Sequence, residues 1–113
     1  MQNEMLELSY KREGTTLYYW MPKELDHHVA QWLCRELDSL IEVYQIKELI
    51  LNFSQTEFMD SSGIGVVIGR HKTMKFHKGI LYVERLGTRV EAIFKSAGLF
   101  RIIEVKGEEI CIE

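Results

Sequence analysis

The residues best equipped to do chemistry in this 113-residue chain stand in one run, Asp60-Ser61-Ser62-Gly63. Asp60, Ser61 and Ser62 are all helix-capping types, because a short side-chain oxygen can accept from backbone N–H groups that a helix start leaves unpaired. Ile64, Val67, Ile68, His71 and Met74 then recur at the i, i+3, i+4 spacing of one helix face. Upstream, Leu49-Ile50-Leu51-Asn52-Phe53 reads as a short buried strand. Two hydroxyls therefore stand where a helix begins, beyond the end of a strand. The partial positive charge of a helix start suits an added anion, so the chemistry open to these serines is acceptance of a phosphoryl group. On these four residues alone, a plain cap with unmodified hydroxyls is the simpler account.

Other constellations carry less. Gly63, Gly65 and Gly69, with Glu84 after the next apolar run, loosely match a dinucleotide fingerprint. Three features oppose it: Phe58 to Ser62 separate the glycines from the strand, the chain is too short for two mononucleotide halves, and Gly65 to Gly69 lies inside the periodic helix. Glycine in a helix interior costs about 1 kcal/mol relative to alanine, so close packing or the approach of a partner is expected at Gly65. Ser62 has no Gly-x-Ser-x-Gly elbow and no histidine base that the sequence can place beside it, so no catalytic residue is assigned and the chain does not read as an enzyme. A Gly-x-x-x-x-Gly-Lys loop is absent. His27 and His28 point about a quarter-turn apart on a helix and do not share a metal as an i, i+4 pair can. Cys34 and Cys111 form neither a disulfide framework nor a ligand spacing; Cys34 reads as a small core residue. No metal or cofactor is implied. Arg70, Lys72, Lys75 and Lys78 read as a solvated basic face.

The elements that must position the serines follow from periodicity and punctuation. Met5 to Tyr10 alternates as a strand, Lys11 to Gly14 is a hairpin turn, and Thr15 to Trp20 is a β-branched and aromatic return strand. Asp26 N-caps a helix with Val29, Ala30, Leu33, Leu37, Leu40, Ile41 and Tyr44 on one face. A strand from Glu48 to Phe53, the polar connection Ser54 to Glu57 and the serine-headed helix come next. Gly79 closes that helix, and Ile80 to Val83 is another strand. Thr88 and Glu91 are spaced as a capping box for a helix that turns Val90, Ile93, Phe94 and Ala97 inward. Gly98 stops it, Phe100 to Val105 is a last strand, and 106–113 is a short tail. The order β-β-α-β-α-β-α-β predicts a single α/β domain over 1–113: a mostly parallel sheet with an N-terminal hairpin and helices packed on it. A net charge of -3 argues against a general nucleic-acid partner. No apolar run is long enough to span a bilayer and no signal-peptide pattern appears, so a cytoplasmic protein is expected.

Phe58-Met59-Asp60-Ser61-Ser62-Gly63-Ile64-Gly65, with Gly69-Arg70, resembles the phosphorylation motif of the anti-sigma factor antagonists, STAS-domain proteins, most nearly the sporulation type. The similarity extends to Glu24-Leu25-Asp26-His27-His28 and Ser96-Ala97-Gly98-Leu99-Phe100, and covers about Leu17 to Val105. It implies a single STAS domain in which Ser62 accepts phosphate, Asp60, Ser61 and Gly63 support the site, and Asp26, Ile64 and Arg70 meet the partner. It implies a regulator of transcription whose partners are an anti-sigma factor that is also a serine kinase, and a serine phosphatase. The other readings open to the sequence are a STAS scaffold or sensor module of a larger signalling assembly, and a small-ligand or nucleotide-binding domain. Two departures stand out: Lys23 occupies a position where the family tends to have glycine, and the tail is too short for the family's closing helix.

Overall fold

The structure, a computed structural model, describes residues 9–107. An edge hairpin opens it. β1 (Tyr10–Glu13) runs antiparallel to β2 (Thr16–Trp20), with Tyr10 opposite Tyr19 and Glu13 opposite Thr16. The turn is thus tighter than expected: Lys11, Arg12 and Glu13 belong to the strand, and Gly14, at φ +62°, makes the reversal with Thr15. Three charged side chains in a row are tolerated there because β1 is an edge strand with solvent beside it. The Met5–Leu8 part of the expected first strand lies outside the described residues, as does 108–113 with Cys111.

β2 is followed by a two-residue strand, β3 (Glu24–Leu25), then α1 (His27–Tyr44), β4 (Glu48–Asn52), a second two-residue strand, β5 (Phe58–Met59), and α2 (Ser61–Phe76). β6 (Ile80–Glu84), α3 (Thr88–Ser96), a 3₁₀ turn (Leu99–Arg101) and β7 (Glu104–Val105) complete the described residues. The main sheet has the order β1-β2-β4-β6-β7, parallel throughout except at β1. This is the mostly parallel α/β domain expected from the alternation of elements.

The core lies between this sheet and the helices. Leu17 and Tyr19 of β2, Leu49 and Leu51 of β4 and Leu81 and Val83 of β6 alternate onto one face, where they meet Leu33, Leu37 and Ile41 of α1 and Val66, Val67 and Met74 of α2. Tyr19 keeps its hydroxyl satisfied by donating to Glu36 Oε1 at 2.8 Å, and burial with that carboxylate beside it pushes the phenol's pKa far up. On the other face, Tyr18, Ile50 and Tyr82 stand in register, with Lys11 over the Tyr18 ring and Lys106 over the Tyr82 ring.

Three local readings need correction. Gly79 does not supply the left-handed residue after α2; Lys78 does, at φ +61°. Glycine is required at 79 because a Cβ would sit 2.5 Å from the Lys47 carbonyl oxygen. α3 has no capping box: Gly87 is the N-cap, Thr88 is already helical, and Ala97 is exposed rather than inward. The last strand is only Glu104–Val105, because Gly98 at φ +72° and the 3₁₀ turn fold Leu99 and Ile103 back into the core.

Candidate functional site

β3 and β5 build the site. The polar connection 54–57 is pinned to the segment after β2: Gln55 Nε2 donates to the Met21 carbonyl at 2.9 Å, the buried Thr56 hydroxyl to Pro22 O at 2.8 Å, and Glu57 N to Lys23 O at 2.8 Å. These bonds place Phe58 and Met59 beside Glu24 and Leu25 as a parallel pair, Leu25 opposite Met59. Each short strand runs directly into an aspartate and then a helix, so the register brings the starts of α1 and α2 side by side. Lys23 needs no glycine here; its φ is not positive, and its carbonyl accepts from both Glu57 N and Phe58 N.

Asp26 and Asp60 are therefore neighbouring N-caps. Asp26 Oδ1 accepts from His28 N at 3.0 Å and Val29 N at 3.1 Å; Asp60 Oδ1 accepts from Ser62 N at 2.8 Å. Asp60 is the cap and not Ser61 or Ser62, which occupy the first two helical positions. Ser61 is exposed, and Ser62 is half-buried at the rim of a groove between α1 and α2. That groove, of about 480 Å³, is lined by Ala30, Gln31, Cys34 and Arg35 of α1 and Ser62, Gly65 and Val66 of α2. Cys34 is half-buried with a free thiol, at the edge of the core rather than inside it. His27 and His28 are exposed on the first turn of α1, with ring centroids 4.1 Å apart.

Gly63 is where the fold grips the serines. A Cβ there would collide with Met59 Cγ and stand 3.1 Å from the Leu25 carbonyl oxygen. The first turn of α2 is thus pressed onto the β3–β5 pair, which only a residue without a side chain permits. Gly65, where close packing was one expectation, has nothing within 4 Å of a Cβ and faces the groove. With Gly63 packed inside a helix and Glu84 accepting from Asn52 Nδ2 at 3.0 Å, the dinucleotide reading loses its loop and its ribose ligand.

Ile64 and Arg70 separate from this corner. Ile64, half-buried, lines a second groove of about 470 Å³ with Arg89, Ala92, Ile93, Ser96 and Ala97, between α2 and α3. Arg70 is 8% exposed, so it leaves the basic face expected of it; Lys72, Lys75 and Lys78 alone are exposed there. The inward stripe of α2 is Gly63, Val66, Val67, Arg70 and Met74, rotated from the expected Ile64, Val67, Ile68, His71 and Met74. Arg70 Nε lies 3.0 Å from Asp38 Oδ1 of α1, off the hydrogen-bonding direction, and among the described residues neither Nε nor Nη1 has a hydrogen-bond partner. The pair bridges the two helices that form the groove. His71, half-buried, has its pKa lowered first by desolvation and then by the neighbouring charge of Lys75.

Arg35 and Gln31 were missed by the sequence reading. They sit on the exposed side of α1, where polar residues are ordinary, and no local signal marks them; only the packing of α1 against α2 sets them opposite Ser62.

Residues 8–109 match the STAS domain family. The chain is 29% identical to the anti-sigma F factor antagonist of Paenibacillus polymyxa over 93% of its own length and 90% of the relative's. It is 32% identical to the anti-sigma-B factor antagonist of Listeria monocytogenes, over 88% of this chain and 86% of that one. Among solved structures, the anti-sigma factor antagonist SpoIIAA in its unphosphorylated form superposes with a TM-score of 0.77 at 27% identity, covering 91% of this chain and 90% of that one. The Bacillus cell fate determinant SpoIIAA in the phosphorylated form matches with a TM-score of 0.70 at 26% identity, over 91% of this chain and 94% of the other. An opening hairpin, alternating parallel units and a serine pair at the head of the second helix, together with these matches, place the chain in the STAS domain family, beside its anti-sigma factor antagonists.

Proposed function

We propose that this protein is an anti-sigma factor antagonist switched by phosphorylation of Ser62. In the unphosphorylated form it docks on an anti-sigma factor that is also a serine kinase and frees the sigma factor; the phosphorylated form does not dock, and a serine phosphatase restores it. The protein is a cytoplasmic regulator of transcription and signal transduction, with no catalytic residue of its own. One observation carries the reading: Ser62 is held by the Asp60 cap at an accessible helix start, on a chain similar over most of its length to a protein solved in both unphosphorylated and phosphorylated forms.

In the transfer, Ser62 Oγ bonds to the γ-phosphorus of ATP as the bond to the ADP oxygen breaks. The kinase supplies the base for the hydroxyl proton and the metal. The product carries about -1.5 to -2 charges at neutral pH, beside Asp26 and Asp60. A partner surface complementary to that acidic corner then meets excess charge and a filled rim. Loss of binding therefore requires no change of fold. Likeness to both SpoIIAA forms supports this. Asp26 and Ile64 stand on either side of Ser62 as docking residues, and Arg70 acts from within by holding α1 to α2.

The test pairs mapping with titration. Incubated with the anti-sigma kinase and ATP, the protein takes phosphate on Ser62; phosphate mapped to Ser61 rejects the assignment. Ser62→Ala and Ser62→Asp keep the fold, since an acidic residue at a helix start is favourable by about 0.3–1 kcal/mol. Their affinities for the kinase with nucleotide bound diverge, aspartate binding more weakly but less so than phosphoserine abolishes it. Equal affinities of both variants and of the phosphorylated parent remove Ser62 as the switch and leave a STAS scaffold or sensor module.

A further inference from the structure

We propose that Arg35 is the counter-ion of the modified site: when Ser62 carries a phosphate, the Arg35 guanidinium turns across the α1–α2 groove and clamps it. The inference rests on Ser62 as the phosphoacceptor and adds a residue to that switch.

The helix start alone is a poor cradle for this phosphate. Ser62 N already donates to Asp60 Oδ1 at 2.8 Å, and Gly63 N and Ile64 N donate to Asp60 O at 2.9 and 3.3 Å. Three of the amides that would greet an anion are thereby taken. Two carboxylates, Asp60 and Asp26, stand at the same corner and repel a dianion. A phosphate on Ser62 Oγ is driven away from the caps, and the space open beside it is the groove.

That groove offers both room and charge. Its walls next to Ser62 are Gly65 and Ala30, and a Cβ on Gly65 would still have nothing within 4 Å. Among the described residues, Arg35 is the cation lining it. Arg35 is exposed and makes no ion pair or side-chain hydrogen bond among the described residues, whereas Arg70 faces Asp38 and Arg12 donates to the Gly14 carbonyl. α1 and α2 start side by side, and long helical side chains lean toward the N-terminus, so Arg35 reaches back along α1 toward the level of Ser62. A planar guanidinium donates two parallel N–H bonds to phosphate oxygens, a geometry lysine lacks. Gln31, one turn nearer the start of α1, adds an amide donor on the same wall. The clamp turns the off state into more than added charge: it fills the groove and ties α1 to the first turn of α2.

The experiment separates the clamp from the question of which serine the kinase uses. Phosphoserine is built into position 62 of the full chain by genetic encoding, and the second pKa of the phosphate is followed by ³¹P NMR. Asp26, Asp60, His27 and His28, the titratable groups at the two helix starts, are unchanged in every variant, so differences isolate Arg35. In Arg35→Ala the pKa is expected to rise by about half a unit or more relative to the parent, a neighbouring-cation shift reduced for exposure. Arg35→Lys should restore part of the shift, and Arg101→Ala, on the 3₁₀ turn, none. Identical titrations of the parent and the Arg35→Ala protein overturn the clamp. A shift that appears as described while the kinase phosphorylates a different residue leaves the clamp standing and rejects the switch at Ser62.

Discussion

α1 and α2 begin with the same device and end up with different tasks. Each follows a two-residue strand, each is capped by an aspartate, and the pairing of Leu25 with Met59 sets the two starts abreast. Asp26 ties down two amides and is followed by two exposed histidines, with Val29 half-buried behind them. Asp60 ties down one amide with its side chain and is followed by two serines and by Gly63, which has no room for a side chain. The contrast shows how a reactive hydroxyl is presented. α1 is held chiefly by an apolar stripe well inside the helix, and its first turn adds only the half-buried Val29 and Ala30. α2 is gripped at its first turn, so Ser62 has a fixed position relative to the caps and the groove.

The comparison is broken most forcefully at glycine. Gly63→Ala should destabilise the protein by about 1–3 kcal/mol, because Met59 must move and the Leu25 carbonyl cannot yield easily. Gly65→Ala, two residues on, should have the opposite sign, gaining up to about 1 kcal/mol of helix preference in open space. Urea denaturation of both variants checks the pair. A destabilised Gly65→Ala protein would show that the groove side of α2 is more crowded than its geometry says.

Next in size are the caps. Asp26→Ala and Asp60→Ala should each cost about 1 kcal/mol, and Asp26 the more, since its carboxylate serves two amides and that of Asp60 one. Equal melting points for the two variants would indicate that the second bond at Asp26 contributes nothing.

The smallest effect concerns the far end of α2. His71 has a depressed pKa in the folded state, from desolvation first and Lys75 second. Its unfolded value is near 6.5, so the contribution to stability is complete above that pH. It is lost as pH falls through the folded value, because the unfolded chain takes up the proton first. Lys75→Gln should raise the His71 pKa only part of the way, which NMR titration of the ring can follow; full restoration would make charge rather than burial the main cause.

Sequence and structure agree best along α1. The Asp26 cap and the stripe of Leu33, Leu37 and Ile41 are legible because one polar face and one apolar face leave a single way to lay α1 down. α2 offers no such choice of face: Ile64, Val66, Val67 and Ile68 surround its axis, and periodicity does not tell which valine or isoleucine points inward. That ambiguity hid the burial of Arg70 and let Gly65 pass for the packed glycine in place of Gly63. The two short strands were invisible for a related reason, since two residues are too few for a period and their pairing depends on bonds from Gln55, Thr56 and Glu57 to residues more than thirty positions earlier.

By itself, then, the sequence determined the order of the longer elements, the Asp26 cap and the presence of two hydroxyls at a helix start, because each is written in residues near one another in the chain. Tertiary structure alone decided which face of α2 is buried, that the two capped starts stand together, and that Arg35 lies across a groove from Ser62. Those are contacts between segments far apart in sequence. Their free energy comes from burying Leu25, Met59 and the α1–α2 seam at once, a condition that no single stretch of residues carries.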